Sequence, residues 1–446
     1  MTQDDLQSSS QPGGTWLDHL RAAAVPIAIT LLASFAFQWL HRGAPLHNDS
    51  AHYHAVAEGR IAEVHDPFTK RVLYPWLVRE TSRLTGLSLE ASFTIWGNLA
   101  FAVFAAVLLS FILCYVRSTW ITLALFLTPV NLILARENQL PDLLHASFLA
   151  VFFLALYKRR LVLSLVLLGL LQLTRESTLL VTFFFVIFTL ARRRWGIALL
   201  AIAITVAGLG VAGKVAKQGL PNVHGVNNVV YLAAKVPSNL AKNVLGIYFW
   251  TDTSAKNKPK SFPNEPMFRM KTPSWLPTGE IKEVGLYKID LTKPLVTIAQ
   301  MLTLFGVLPV LVLPFLFRRN TWSPPEEARQ YALPMAYGYG LMSYFLAPCL
   351  GASTDRLISY GWPCFWIAAP MLITDKLGVG SHAWRRIALL HAVTSWSPLL
   401  ISAAAVSGLW HSLAVLAIAL PSHFLAYRHM SGAAKTSDCT EREVDS

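Results

Sequence analysis

The stretch HNDSAHYH, residues 47–54, sets one carboxylate, Asp49, among three imidazoles, just after a long apolar run has ended. An Asn, Asp or Ser at such a place fits the start of a helix, where its side chain accepts backbone N–H bonds. The same position favours the ionised form of a carboxylate and holds it rigidly. Asp49 therefore reads as a helix cap, as a general base or metal ligand, or as both. His47, Asp49, His52 and His54 have the right chemistry for a metal, but His52 and His54 are two apart and cannot share a helix face.

Three further clusters carry chemistry. ARENQLPDLLHAS supplies Arg136, Glu137 and Asp142, with Pro141 where the first turn of the next helix is expected. LLQLTRESTLL sets Arg175 and Glu176 inside an otherwise apolar run, and Asp355-Arg356 repeats the pairing later. Capping groups and ordinary ion pairs would account for all three. Alternatively, Arg71, Arg175 and Arg356 suit bidentate capture of a phosphate, with Lys70 as a further cation. Residues 48–66 read as one helix with Tyr53, Val56, Ala57, Ile61 and Val64 on one face, ended by Pro67. PFTKRVLYPWLVRETSRL then mixes Phe68, Leu73, Trp76 and Leu77 with Lys70, Arg71, Arg79 and Arg83, the pattern of a helix lying in a membrane interface.

The elements that must hold these groups are apolar. The chain of 446 residues is 54% hydrophobic and 14% charged, with a mean hydropathy of +0.45, outside the range of ordinary soluble domains. The expected fold is all-α and polytopic, with about twelve membrane helices: 22–40, 92–115, 119–135, 142–157, 161–174, 178–191, 196–213, 295–317, 331–351, 357–374, 385–406 and 408–427. Alternate breaks hold YVRS, YKRR, ARRRW, FRRN, WRR and YRHM, which the positive-inside rule puts in the cytoplasm. The carboxylate-bearing breaks, together with two long loops at 41–91 and 214–294, then face outward. The second loop holds eleven Lys and one Arg against five acids, and VVYLAAKVPSNLAKNVLGIYFW within it reads as another interfacial helix.

The expected organisation is a polar cytoplasmic N-terminus (1–21), a membrane module (22–213) containing the first loop, the second loop, C-terminal membrane helices (295–430) and a polar tail (431–446). The acidic N-terminus reads as preceding a retained anchor rather than as a cleaved signal peptide. Splitting 161–191 into two helices keeps KRR and RRR on one side. A 14-residue helix reaches only about 21 Å against a core of about 30 Å, so the Arg175-Glu176 turn is expected below the membrane surface. Charges at that depth are costly and usually functional. The net charge of +13 belongs to topology and argues against a nucleic-acid partner. Four scattered cysteines give neither a zinc spacing nor a disulfide framework.

Asp49 after the first membrane segment, DPFTKRVLYPWL, ENQLPD and GLLQLTRESTLL together resemble the GT-C superfamily of integral-membrane glycosyltransferases, over residues 20–195. The opening loop is similar to that of bacterial members that transfer mannose or related sugars. The resemblance implies a multi-pass protein of the bacterial cytoplasmic membrane with its site facing outward. It further implies a sugar donor carried on polyprenyl phosphate, an acceptor of unstated kind and inversion at the sugar. It assigns Asp49 as base, with Asp142 or Glu137 as fallback acids. His52, Tyr53, Lys70, Arg71, Arg136, Arg175, Glu176 and Arg356 become substrate contacts. Many relatives carry two adjacent acids where this chain has Asn48 and Ser50 around a single Asp49. The sequence requires no cofactor, and a divalent cation at the outward carboxylates is the one the resemblance leaves open. A secondary transporter or a non-catalytic polysaccharide-assembly protein are the rival readings. Transporters usually show related halves, whereas this chain gathers its polar residues on one face.

Overall fold

The computed structural model describes residues 16–42, 49–220, 236–250, 268–270, 285–289, 292–327, 329–351, 354–378, 382–406 and 408–444. His47 and Asn48 of the opening motif, and much of the 214–294 loop, lie outside them.

Each of the twelve apolar segments forms a helix or a bent pair of helices. In chain order the helices are α1 (Trp16–Ala22), α2 (Ala24–Leu40), α3 (Ser50–Ala57), α4 (Leu73–Thr85), α5 (Leu89–Val116), α6 (Thr119–Phe126) and α7 (Pro129–Arg136). There follow α8 (Asp142–Tyr157), α9 (Leu161–Gln172), α10 (Thr178–Ala191) and α11 (Trp195–Ala216). The second half holds α12 (Thr292–Thr303), α13 (Leu308–Phe315), α14 (Arg329–Leu350), α15 (Thr354–Leu377), α16 (His382–Ala403) and α17 (Gly408–Val444).

Among the described residues, four helices are long and apolar enough to cross a membrane, namely α5, α11, α15 and the Gly408–Gly432 part of α17. The number rises to six if the pairs α6–α7 and α12–α13 each make one span. α2, α8, α9 and α10 are shorter apolar helices.

The first helix of the 41–91 loop is shorter than its sequence pattern suggests. Instead of running over 48–66, α3 stops at Ala57, because Gly59 takes φ +85, a conformation that ends helices and that glycine adopts without strain. A 3₁₀ turn at Ile61–Glu63 and a cis Asp66-Pro67 bond follow. In the second loop, 236–240 is helical and continues into a π turn at Ala241–Leu245. The expected interfacial helix then gives way to a strand. β1 (Ile247–Trp250), β2 (Phe268–Met270) and β3 (Gly285–Ile289) form a small antiparallel sheet in the order β1-β3-β2, with Ile247 opposite Ile289 and Phe268 opposite Tyr287.

α5 is the central post. Ser88 caps its start by accepting from Ala91 N at 3.2 Å, and Arg117 closes its end in the left-handed conformation. It packs along α8, which in turn packs on α9. α10 packs on α11 and α14, and α14 crosses the π-helical stretch of α15 at Pro363–Ala368. A Cβ at Gly340 would fall on the Cys364 backbone, so glycine permits that crossing. The core between these helices is aromatic: Phe104 meets Trp362 at 5.1 Å, and Trp366 meets Phe126 at 5.4 Å and Phe305 at 5.2 Å.

Two helices break sharply, α6–α7 by 64° and α12–α13 by 68°. Pro129 disfavours helix at Thr128 and supplies no N–H, which accounts for the first break. Three carbonyls at the break find side-chain donors. Asn131 Nδ2 reaches Phe126 O at 2.5 Å, Trp366 Nε1 reaches Leu125 O at 3.2 Å, and Trp396 Nε1 reaches Leu127 O at 3.2 Å. At the second break Gly306 sits at φ +49 against the His391 ring.

α9 and α10 are separate helices joined by the turn 173–177, as topology demanded. A polar cluster pins them to α11: Gln172 Nε2 donates to Thr182 at 3.1 Å, and the Thr182 and Thr205 hydroxyls lie 2.9 Å apart. The hydroxyls and the Gln172 amide nitrogen pair with one another, while Gln172 Oε1 is buried without a partner, so the set fixes the packing more than it stabilises it.

Candidate functional site

Helix starts and turns bring the charged clusters to one place. Asp49 immediately precedes α3, Asp142 opens α8, Arg175 and Glu176 lie in the α9–α10 turn, and Arg356 lies in the first turn of α15. Local rules explain two of these positions. Pro141 fixes the entry to α8, and an acid in a first turn is favoured by the helix dipole. Arg71 follows a 3₁₀ turn at Phe68–Lys70, and the chain there is tied to the α9–α10 turn by Leu73 N donating to Leu173 O at 3.1 Å.

The arginines do not pair with their sequence neighbours. Adjacent residues point apart on a helix or turn, and each cation finds a more distant acid. Arg356 bridges two carboxylates: Nη1 donates to Asp49 Oδ2 at 2.8 Å, Nη2 to Asp142 Oδ2 at 2.8 Å, and Nε to Asp142 Oδ1 at 3.2 Å. Arg175 pairs with Asp142 and with the Tyr360 hydroxyl, which itself donates to Asp142. Its guanidinium lies 4.6 Å from the centre of the Tyr360 ring. Arg71 grips Glu176 with Nη2 at 2.8 Å and Nε at 3.0 Å, and its Nη1 donates to the Tyr53 hydroxyl at 2.7 Å. Arg136 and Glu137 alone stay with each other, at a loose 4.0 Å.

The three acids and three arginines are thus balanced, which is what burial of charge requires. They differ in access. The Asp142 side chain is 2% exposed, with both oxygens committed. Asp49 is 24% exposed, and its side chain makes no capping bond to α3. The capping role is therefore not the one this carboxylate performs; Arg356 takes it instead.

Burial pushes the Tyr53 phenol above its ordinary value despite Arg71 beside it, so it stays a neutral donor and acceptor. Desolvation would raise the Glu176 carboxyl, but Arg71 overrides it and holds it down at about 2.

Other named residues lie at the margins. His52 stacks on Phe68 with ring centres 4.3 Å apart. His54 packs on Phe93, and Lys70 Nζ is held by Asp66 at 2.6 Å. Among the described residues no group of three His, Cys, Asp or Glu side chains is arranged to hold a metal ion.

Sequence reasoning missed Tyr360 and His145. Each had a signal: Tyr360 is four residues past Arg356, and His145 three past Asp142, so each shares a helix face with a named charge. His145 is fully buried, its Nδ1 2.9 Å from the Thr174 hydroxyl and its ring edge-on to Tyr360.

Beside this network opens a cavity of about 450 Å³. Asp142, Arg356, Glu137 and Asp355 form its polar end, while Ile133, Leu134, Leu304 and Leu399 contribute apolar wall. Both helix breaks border it, through Pro129 and Val130 on one side and Thr303 and Leu304 on the other. Asp49 does not line it and is joined to it through Arg356. The loop carrying Glu137 is seated on α5: a Cβ at Gly97 would lie 2.5 Å from that of Asn138, and the Tyr74 hydroxyl donates to Asn138 O.

An apolar trough ending in a guanidinium between two carboxylates can seat an amphiphile whose head is anionic and carries hydroxyls. No family model, curated protein or solved structure matches this chain.

Proposed function

We propose that the protein is a membrane glycosyltransferase of GT-C type that moves a sugar from a polyprenyl-phosphate carrier to an acceptor hydroxyl at the extracytoplasmic face. The observation that supports this most is the Arg356 bridge between Asp49 and Asp142 at the polar end of an apolar-walled cavity. In this reading all twelve helical segments cross the bacterial inner membrane, the two long loops face outward, and the apolar walls take the polyprenyl chain. The sugar and its polyprenyl carrier are what the resemblance of the sequence motifs to the GT-C superfamily implies.

The roles follow from access. Asp142, buried with both oxygens engaged, anchors Arg175 and Arg356 rather than moving protons. Asp49 is the base. An incoming donor phosphate competes for Arg356, whose fork suits phosphate as well as carboxylate, and releases the Asp49 carboxylate. Asp49 then takes the proton of the acceptor hydroxyl as its oxygen attacks sugar C1. The C1–O bond to phosphate breaks on the opposite face, the carrier phosphate leaves against Arg356, and the sugar is inverted. General base catalysis of this kind contributes about 10²–10⁴-fold. The test is release of carrier from a radiolabelled polyprenyl-phosphate sugar by purified protein. Turnover should collapse in Asp49→Asn, and an unchanged rate would remove Asp49 from this role.

One observation favours a different reading. Two bent helices border the cavity, and discontinuous helices mark the binding sites of secondary transporters. Ion-driven solute uptake into proteoliposomes without sugar transfer would establish that alternative.

A further inference from the structure

At the other end of α15 lies a second recess, of about 520 Å³, that the proposed reaction does not use. Arg356 and Lys376 stand some twenty residues apart on α15, about 30 Å at 1.5 Å per residue, close to the thickness of a hydrocarbon core. The recess therefore sits at the opposite bilayer face from the Asp49 network.

Its charge is unequal. Arg318, Arg319, Arg329 and Lys376 line it against two carboxylates, Glu326 and Asp375. Arg329 takes both: Nε pairs with Glu326 at 2.9 Å, and Nη1 pairs with the two Asp375 oxygens at 2.7 and 2.8 Å. The next acid along, Glu327, is held by Arg159. Arg318, Arg319 and Lys376 thus converge on one hollow whose acids are already engaged by another cation. Buried Phe315 and Leu372 form its floor, the Arg318 guanidinium lies 4.9 Å from the Phe315 ring, and Phe317, next to Arg318 in sequence, is 91% exposed. Cations around a hollow with an exposed aromatic next to them, at the end of a membrane span, suit the head and upper chain of an anionic lipid.

We infer that this recess is a phosphate-binding site that holds the headgroup of an anionic phospholipid, seated by Arg318, Arg319 and Lys376. Phosphate is the shared chemistry, and the exposed Phe317 favours the lipid over the free ion.

Native mass spectrometry of the detergent-purified full chain tests this, with phosphatidylglycerol, phosphatidylcholine and inorganic phosphate added separately. A variant carrying Arg318→Gln, Arg319→Gln and Lys376→Gln is compared with a charge-matched control carrying Arg193→Gln, Arg385→Gln and Arg386→Gln. Circular dichroism confirms that both fold. Wild type and control should retain phosphatidylglycerol in preference to phosphatidylcholine, and the recess variant should lose it at least tenfold. Binding of inorganic phosphate that the recess variant alone abolishes, with no retention of phosphatidylglycerol by wild type, would keep the phosphate site but overturn the lipid as its source. Equal lipid retention by recess variant and wild type, equal loss in recess variant and control, or no preference for the anionic lipid would overturn the site itself.

Discussion

Arg356 and Asp49, separated by 307 positions in the chain, meet at 2.8 Å. This contact ties the start of α3 to the start of α15, and Asp142 on the same guanidinium makes the link three-way. The Asp49 carboxylate is held by a group that an anionic ligand would also want, so in the proposed reaction donor capture and release of the base would be one event.

Arg356→Lys should fail at this junction, because an ammonium is a point donor and cannot bridge two carboxylates in the fixed fork of a guanidinium. Losing a hydrogen bond to a charged group costs about 1.5–3 kcal/mol. The variant should melt lower than wild type in detergent and lose carrier release, whereas retention of both would show the bridge to be dispensable.

Asp49→Asn and Asp142→Asn should separate chemistry from architecture. Asp49 is partly exposed and its amide keeps an acceptor for Arg356, so the variant should lose about 1 kcal/mol of stability, less than Asp142→Asn loses. Its turnover should fall by about 10²–10⁴-fold. Asp142→Asn leaves the buried cations Arg175 and Arg356 short of charge, and should unfold at lower temperature before any rate is read.

The Arg71–Glu176 pair sets an acid limit. Glu176 has a folded value of about 2, below its ordinary 4.5. Its contribution to stability is therefore complete above about pH 4.5 and is lost as pH falls toward 2. Melting temperature measured from pH 6 to pH 2 should decline through that window in wild type. Arg71→Gln should abolish or reverse the decline, since desolvation, the largest influence on Glu176, then acts without its main opposing charge. An identical decline in both proteins would place the acid sensitivity elsewhere.

Gly97→Ala probes the seat of the Glu137 loop. A methyl there collides with Asn138, and overpacking of this kind costs about 1–3 kcal/mol. The loop moves before α5 does, so carrier release should fall further than the melting temperature suggests. A Glu137→Gln variant measured alongside separates loop position from the acid itself.

Much of the helical framework was legible because an apolar run of membrane length leaves few alternatives. The split at Arg175-Glu176 followed from the charges flanking α9 and α10. The pairing of charges was not legible: TRES and DR suggest neighbours in contact, whereas the contacts join α3, α8 and α15 across hundreds of residues. Asp49 illustrates the limit. Its type and place announced a helix cap, but a guanidinium from the far end of the chain competed for the same oxygen and won. The short sheet formed by β1, β2 and β3 went unread because its strands are three to five residues long and scattered through a Lys- and Pro-rich loop.

The break between α6 and α7 bears on what kind of machine this is. Its three loose carbonyls are met by one amide and two indoles, and none of these donors is supplied by solvent. In the proposed enzyme this corner, tied by side chains of the protein itself, would serve as a fixed wall of the donor cavity, a mould rather than a valve.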